Sequence, residues 1–322
     1  MDLSFIKCHG SGNDFILIDE QETPLEVKES QRSRLVKALC HRESGIGADG
    51  VLFYSVEAEA DARMRIFNAD GSEARMCGNG IRCLGRYAIE KLGKERVSIG
   101  VMQGVLSVGR VPDFFPSVPA YETEIGPISL DPATLPMEWE GARVVDEVLS
   151  SFSSQLRFTA LSAPNPHISA RVDSMDREAL VRIGKLANGD HPMFPEGVNV
   201  SFRRVDGDRL WVGTYERGVG WTHSCGTAMT ASTFAACLEG VFAFGVPVQV
   251  FNAGGKVVCT AIQGERDDGP HSGLLAGTAT FEWEGVARLD WSEETLLQQV
   301  RRVGTRDEEI RAYERFKAAS LH

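Results

Sequence analysis

The sequence has no long apolar run and no excess of basic residues. No stretch approaches the length needed to cross a membrane. The formal net charge is −11 and the lysines and arginines are scattered, which disfavours a nucleic-acid partner on electrostatic grounds. The first residues lack the basic segment and the apolar core of an export signal. We therefore expect a cytoplasmic protein with neither a membrane nor a nucleic-acid partner.

Paired metal-binding and disulfide motifs are also missing. The seven cysteines include no C-x-x-C pair, and no H-x-x-x-H motif occurs. We therefore expect reduced thiols and no metal site. With 322 residues, 43% of them hydrophobic and 25% charged, the chain is long enough for two domains with separate cores.

Cys77 stands immediately before the apolar pattern of a helix. Ile81, Leu84 and Ala88 are spaced for one helical face. The unpaired backbone amides and the positive end of the dipole at a helix start favour a thiolate over a thiol. The same amides can hold a carboxylate, and Gly78 lets a ligand approach the backbone. This segment predicts a nucleophilic or basic sulfur beside an anion site.

Cys225 repeats this arrangement in the second half of the chain. It is followed by Gly226 and by a run of residues that favours a helix. Asn68 lies nine residues before Cys77, and Glu216 lies nine residues before Cys225. The chain is therefore interpreted as two copies of one design.

The predicted fold class is α+β, with two pseudo-symmetric domains in which strands surround a central helix. The N-terminal half, residues 1–125, carries Cys77 and is joined by the C-terminal segment 285–322; residues 126–284 form the half that carries Cys225. No parallel β-α-β alternation is predicted, which excludes a doubly wound fold. The proline-rich residues 112–141 predict a crossover, and residues 291–319 predict a charged surface helix.

Two thiols acting on one substrate suit a particular reaction. One sulfur removes a proton from one face of a carbon and the other returns a proton to the opposite face. A cysteine protease would need one cysteine with one histidine, and the duplication would be unexplained.

Polar residues at turns and strand ends are the remaining candidates for the site. For each asparagine the ordinary alternative is a role in the turn itself. Arg217 could bind a carboxylate through two hydrogen bonds and Glu216 could bind an ammonium group, whereas a surface ion pair is the ordinary alternative. His167 could tune a cysteine or serve packing. The candidate asparagines are Asn13, Asn68, Asn79, Asn165 and Asn199.

These motifs, in their order along the chain, resemble those of diaminopimelate epimerases. The resemblance implies a cofactor-independent amino-acid epimerase without pyridoxal phosphate, built from two mostly antiparallel β-barrels that each surround a helix. It further implies conversion of L,L- to meso-diaminopimelate in lysine and peptidoglycan precursor synthesis. A homodimer is one candidate assembly. The matching segments are residues 7–15, 68–73, 76–83, 165–167, 197–200, 216–220 and 224–227.

The resemblance also implies a role for each motif residue. Cys77 and Cys225 would be the acid/base pair, tuned by Glu216 and His167. The helix-start amides of the two Cys-Gly motifs would bind the reacting carboxylate. The residues implied in substrate binding are Asn13, Asn68, Gly78, Asn79, Asn165, Asn199, Glu216, Arg217, Gly226 and Thr227.

Three residues depart from the family pattern. Gly50, Trp221 and Ala228 stand where family members carry a glutamine, an acidic residue and a glycine.

Two other functions stay open. The first alternative is a two-thiol racemase of another amino acid such as histidine; the proline-racemase branch is disfavoured because it would show histidine in place of Asn79. The second is a non-catalytic amino-acid-binding protein, which would require neither thiol.

Overall fold

The computed structural model describes residues 1–22, 27–102, 104–222, 225–253, 255–266 and 269–320. The chain divides into two compact units. The first contains residues 1–123 and 277–322, and the second contains residues 124–276. Among the described residues, no helix is both long enough and apolar enough to span a membrane.

The secondary structure consists mainly of strands. The helices are α1 (Glu29–Cys40), α2 (Gly78–Leu92), α3 (Arg177–Ala187), α4 (Gly226–Leu238) and α5 (Asp307–Ser320). The strands are β1 (Asp2–Gly10), β2 (Asn13–Asp19), β3 (Gly50–Ser55), β4 (Ala62–Asn68), β5 (Glu73–Ala74), β6 (Arg96–Val101), β7 (Gly104–Phe115), β8 (Val118–Ile128), β9 (Glu147–Val148), β10 (Arg157–Ser162), β11 (Pro166–Arg171), β12 (Asn199–Asp206), β13 (Arg209–Glu216), β14 (Gly220–Thr222), β15 (Val248–Asn252), β16 (Gly255–Ile262), β17 (His271–Thr278), β18 (Thr280–Leu289) and β19 (Leu297–Thr305).

In the first unit, α2 is the central helix. Every residue from Gly78 to Arg86 is buried, and Leu84 packs in one core cluster with Leu17 and Phe281. Around this helix, β1 pairs antiparallel with both β2 and β18. Because β18 is joined to β1 from Thr280 to Arg288, the whole strand belongs to this unit, whereas the expected boundary at residues 284/285 falls inside it.

In the second unit, α4 has the corresponding position in the chain and a similar burial. All of its residues from Ala228 to Cys237 are buried, and the helix contacts β10, β11, β13 and β16. Its alanine, serine and threonine side chains are small, so strands can pack closely on several sides of it. A core cluster including Phe158, Ile168 and Leu180 packs α3 against neighbouring strands.

Parallel strand pairs correct one expectation from the sequence. In the first unit β2 pairs parallel with β3 across α1, and β4 pairs parallel with β6 across α2. In the second unit β11 pairs with β12 across α3, and β13 pairs with β15 across α4. The prediction that parallel β-α-β connections are absent is therefore wrong, although most strand pairs are antiparallel. The local sequence pattern predicts where each strand lies, but the strand with which it pairs depends on segments that are distant in the sequence.

The proline-rich segment is also more regular than expected. Strand β7 continues through Pro112 to Phe115, with a register shift between Val111 and Phe115. Pro119 and Pro127 lie inside β8. Proline lacks the N–H of a ladder bond and is accommodated at bulges and edges, so the prediction of an irregular crossover over residues 112–141 is wrong for its first part.

The C-terminal segment is a strand followed by a helix. Residues 297–305 form β19, which pairs antiparallel with β18. The helix α5 begins only at Asp307, so the prediction of one helix over residues 291–319 is wrong in its first half. Leu297 and Val300 have helical spacing, but Val303, which completes the pattern, is 61% exposed.

Candidate active site

Cys77 is the residue at which the central helix of the first unit starts. It is the N-cap of α2 and has an extended backbone, with φ −145° and ψ 118°. Its carbonyl oxygen accepts the first helical hydrogen bond from the amide of Ile81, at 2.9 Å. The amides that precede Ile81, beginning with Gly78, have no acceptor inside the helix. The half-buried sulfur thus lies at the positive end of a helix.

Two asparagines lie beside this sulfur. Asn13 begins β2, and its Oδ1 lies 3.8 Å from Sγ of Cys77 and 3.3 Å from Nδ2 of Asn79. Nδ2 of Asn13 donates to Oδ2 of Asp49 at 2.8 Å. A Cβ at Gly10 would lie 2.7 Å from the carbonyl oxygen of Asn79, so glycine lets β1 approach the start of α2. The sequence candidates Cys77, Asn13 and Asn79 are therefore in contact.

A buried arginine supports the first turn of α2. Arg82 is 0% exposed, and its Nη1 donates to the carbonyl oxygen of Gly78 at 2.9 Å. Its Nη2 donates to Oδ1 of Asn79 at 2.8 Å and to Oγ of Ser11 at 3.2 Å. Arg82 was not among the site residues predicted from the sequence. Its spacing from Gly78 and Asn79 could have indicated this role, because side chains three and four residues further along a helix lie on the same face and can reach back to the first turn.

Cys225 has the equivalent place in the second unit. It is the N-cap of α4, with φ −132° and ψ 109°, and its carbonyl oxygen accepts from the amide of Met229 at 3.0 Å. Its Sγ lies 3.4 Å from Oγ1 of Thr227. Thr230 donates to the carbonyl oxygen of Gly226 at 3.1 Å, as Arg82 does to Gly78 in the first unit. Ser224, which precedes the motif, lies outside the described residues.

Glu216 contacts the second cysteine. Burial raises the pKa of its carboxyl group, and hydrogen bonds with Thr222 and Cys225 act in the opposite direction. Glu216 ends β13, which pairs with β14 so that Glu216 lies opposite Gly220. A carboxyl group with a raised pKa next to a thiol can exchange a proton with it.

His167 is paired with Asn165 at the start of β11. Its Nε2 lies 2.9 Å from Oδ1 of Asn165, and because this oxygen only accepts, Nε2 carries the proton. Burial, followed by the positive charge of Arg217, lowers the pKa of His167 to about 3. Its Nδ1 has no hydrogen-bond partner in the part of the chain that the structure describes. His167 is thus a neutral side chain with an acceptor nitrogen inside the second unit.

Arg217 and Asn199 meet in the same unit. Oδ1 of Asn199 accepts from the backbone amide of Arg217 at 2.8 Å, and the side chain of Arg217 donates through Nη1 to the carbonyl oxygen of Glu196 at 3.1 Å. Asn199 therefore positions the strand end that carries Arg217, while the arginine side chain is exposed.

Asn68 lies at the exposed end of β4. Its Nδ2 donates to Oγ of Ser72 at 3.0 Å, and its backbone amide donates to the carbonyl oxygen of Ser72 at 2.9 Å. Asn68 faces Gly50 across the strand pair. A Cβ at Gly50 would lie 2.5 Å from the carbonyl oxygen of Phe67, so the local backbone has no room for a larger residue there. The structure brings Asn68 into a turn, and its role in binding stays a prediction.

The other two departures lie in the second unit. Trp221 packs next to Gly213, and the guanidinium of Arg177 lies 4.8 Å from its ring centre. Ala228 is fully buried in α4. Within the described ranges no group of three His, Cys, Asp or Glu side chains is arranged to hold a metal ion. The cysteines other than Cys77 and Cys225 are buried, at positions 8, 40, 83, 237 and 259.

Comparisons with known proteins agree with the motifs. The family model for diaminopimelate epimerase matches residues 5–114 and 159–274. The diaminopimelate epimerase of Clostridium acetobutylicum is 42% identical over 291 residues, which cover 90% of this chain and 87% of that protein. The diaminopimelate epimerase of Enterococcus faecalis is 40% identical over 290 residues, covering 87% and 88%.

Solved structures share the fold at low sequence identity. A Bacillus anthracis phenazine biosynthesis protein of the PhzF family has a TM-score of 0.64 and 16% identity, with 89% of this chain and 99% of that chain covered. A hydroxyproline epimerase from Agrobacterium vitis has a TM-score of 0.62 and 15% identity, with 91% and 93% covered. Such identities establish the fold alone, and they confirm the predicted α+β class with two domains.

The fold and the sequence matches define the class of the protein, which is an isomerase that acts as an amino-acid epimerase. Within that class, the chain belongs to the diaminopimelate epimerase family.

Proposed function

We propose that the protein converts L,L-diaminopimelate to meso-diaminopimelate without a cofactor, with Cys77 and Cys225 as the acid/base pair. The reaction would serve the synthesis of lysine and of peptidoglycan precursors. One observation carries the proposal: each unit has a cysteine at the N-cap of its buried central helix. Family membership supplies the substrate.

In the proposed mechanism the two sulfurs exchange roles during a turnover. One begins as a thiolate and removes the proton of the α-carbon, while the electron pair of the broken C–H bond is delocalised into the carboxylate. The other begins as a thiol and donates its proton to the opposite face of the carbon. The first sulfur ends as a thiol and the second as a thiolate, so the charge of the pair is conserved. The pair therefore titrates as a coupled unit.

The helix starts support the charge that develops on the substrate. Amides of Gly78 and Asn79, and of Gly226 and Thr227, are the proposed donors to the reacting carboxylate. Such donors are fixed before the reaction and need no reorganisation as the negative charge grows. Oγ1 of Thr227, 3.4 Å from Sγ of Cys225, can also donate to the thiolate form.

Glu216 and His167 are proposed to tune the second cysteine. The contact between Glu216 and Cys225, together with the raised pKa of the carboxyl group, supports a shared proton between them. His167 would act as a neutral group, since its pKa is about 3. The proposed substrate ligands beyond the reacting carbon are Asn13, Asn68, Asn165, Asn199 and Arg217.

The proposal is tested by incubating the protein with L,L-diaminopimelate in deuterium oxide and following stereoisomers and α-deuterium together. We expect the meso isomer to appear with deuterium at the inverted carbon, while the recovered L,L isomer stays protiated at early times. A double variant, Cys77→Ala with Cys225→Ala, is the control for uncatalysed exchange. Absence of inversion would overturn the function, and equal early labelling of both isomers would overturn the two-base mechanism.

A further inference from the structure

The two asparagines beside Cys77 form the middle of a chain of hydrogen bonds in the first unit. Arg82 donates to Oδ1 of Asn79 at 2.8 Å, and Nδ2 of Asn79 lies 3.3 Å from Oδ1 of Asn13. Nδ2 of Asn13 then donates to Asp49 at 2.8 Å. The chain thus begins at a buried guanidinium and ends at a carboxylate, and every hydrogen bond along it runs in the same direction.

The two charged ends determine how both amides are oriented. An arginine side chain can only donate and a carboxylate can only accept. The atom of Asn79 that faces Arg82 must therefore be its oxygen, and the atom of Asn13 that faces Asp49 must be its nitrogen. Both choices leave Oδ1 of Asn13 on the side of Cys77, 3.8 Å from the sulfur.

We propose that Asp49 and Arg82 are positioning residues that hold Asn13 with its oxygen toward Cys77, so that this contact favours the thiol over the thiolate. For its catalytic meaning the inference rests on the proposed function. An acceptor oxygen stabilises an S–H donor and disfavours a negatively charged sulfur at the same place. The amide chain therefore opposes the effect of the helix start, which favours the thiolate, and it keeps Cys77 able to donate a proton.

Charged neighbours extend this arrangement. Arg42 donates to Oδ1 of Asp49 at 2.7 Å and to both oxygens of Asp14, and the ammonium group of Lys7 binds Asp14. The charged groups near the amide chain are thus Lys7, Asp14, Arg42 and Asp49 on one side and Arg82 on the other. Asp14 belongs to the same cluster as Asp49, but among the described residues its carboxylate binds Lys7, Arg42 and the backbone amide of Asp49 rather than the side chain of Asn13.

The orientation of Asn13 can be tested through the thiol of Cys77 in the full-length protein without substrate. The rate of iodoacetamide modification at Cys77, followed by peptide mass across pH 6 to 10 (about the range in which thiols titrate), reports the thiolate fraction. The side chain of Asp49 is 46% exposed, so substitutions there should leave the protein folded, which thermal unfolding checks. The variants are Asp49→Ala, Asp49→Asn and, as a control for charge, Asp14→Asn.

We expect Asp49→Ala to release Asn13, which can then turn its nitrogen toward the sulfur. The apparent pKa of Cys77 should fall, and modification below that pKa should become about three- to tenfold faster, the equivalent of one hydrogen bond. Asp49→Asn loses the same charge but keeps an oxygen that can accept from Asn13, so its effect should be smaller. Asp14→Asn should also have a smaller effect than Asp49→Ala.

Two results would overturn the inference. One is an unchanged modification rate in Asp49→Ala. The other is an equal increase in all three variants, which would mean that loss of negative charge alone accounts for the change. Because the measurement uses no substrate, it gives the same answer whether or not the protein epimerises diaminopimelate, so a failure of the inference is distinct from a failure of the proposed function.

Discussion

The carboxylate of Glu309 in α5 binds the guanidinium of Arg86 in the central helix α2 through both of its oxygens. Oε2 of Glu309 lies 3.0 Å from Nη2 of Arg86, and Oε1 accepts from Nη1 and from the backbone amide of Phe281. The two side chains are only 4% and 12% exposed. A buried ion pair therefore joins the C-terminal helix α5 to the helix α2, which starts at Cys77.

Removing the carboxylate should destabilise the protein strongly. In Glu309→Ala the buried Arg86 loses its main counter-charge, and breaking a buried pair by removing one partner costs about 3 to 5 kcal/mol. The free energy of unfolding from urea titration measures this loss. The neighbouring Glu308→Ala is the matched control, because Glu308 is exposed and its Oε1 accepts a hydrogen bond from Oγ of Ser117 at 3.3 Å. Equal losses in the two variants would contradict the role of the ion pair.

If Cys77 and Cys225 form the proposed acid/base pair, each of the two thiols should be indispensable. Cys77→Ala or Cys225→Ala removes one of the two proton carriers, so we expect epimerisation to fall by at least about a hundredfold, measured by chiral separation of the diaminopimelate isomers. Cys83→Ala and Cys237→Ala are the controls, since both cysteines are buried in the central helices; they should cost on the order of 1 kcal/mol of stability and leave turnover intact. A Cys77 or Cys225 variant with near wild-type turnover would refute the two-base mechanism.

Local patterns were sufficient to locate the elements that carry the site. The Cys-Gly motifs and the apolar spacing predicted that each cysteine lies just before or at the first turn of a helix, and in the structure α2 begins at Gly78 and α4 at Gly226. These features depend on residues within a few positions of one another, which is why the sequence alone reveals them.

Features that depend on distant segments were not predictable in the same way. The segment of β19 has helical spacing, and only its pairing with β18 makes it a strand. Gly50 was predicted only as a departure from the family pattern, whereas in the structure its position is constrained by the carbonyl oxygen of Phe67 on a neighbouring strand. Asp49 was not predicted to belong to the site, because its hydrogen bond to Asn13 joins residues 36 positions apart. The sequence identified the residues beside the sulfur, whereas their orientation is fixed by tertiary contacts.

Buried His167 should make the stability of the protein depend on pH. Its folded-state pKa is about 3, well below the ordinary value of 6.5, so between these values the unfolded chain binds a proton that the folded protein does not. Stability from this group is therefore present above pH 6.5 and is lost as the pH falls. From pH 7 to pH 5 the loss should be about 2 kcal/mol.

The comparison of wild type with His167→Gln isolates this contribution. Glutamine can replace the hydrogen bond from Nε2 to Asn165 but does not titrate, so the variant should lose less stability between pH 7 and pH 5. The free energy of unfolding in denaturant at both pH values is the measurement. The stability of the variant should still depend on pH to some extent, because burial lowers the pKa of His9 to about 4. Identical losses in the two proteins would show that His167 is not neutral in the folded state.

Arg217 tests the choice of substrate. Its backbone is held by Asn199, so Arg217→Lys should leave the strand end in place and change only the side chain. Lysine keeps the positive charge but lacks the planar fork that binds a carboxylate with two parallel hydrogen bonds. If Arg217 binds the distal carboxylate of diaminopimelate, kcat/KM should fall about ten- to a hundredfold.

The proposed bond between Arg217 and the distal carboxylate also predicts which amino acids the wild-type enzyme rejects. Lysine has the chain and both amino groups of diaminopimelate but lacks the distal carboxylate, so the wild-type protein should barely racemise it. Arg182→Lys, at an exposed position on α3, is the matched control and should keep wild-type kcat/KM. If lysine is racemised efficiently, or if Arg217→Lys is as active as wild type, diaminopimelate is no longer the favoured substrate. The two-thiol mechanism would then stand, and the enzyme would be a racemase of broader amino-acid specificity.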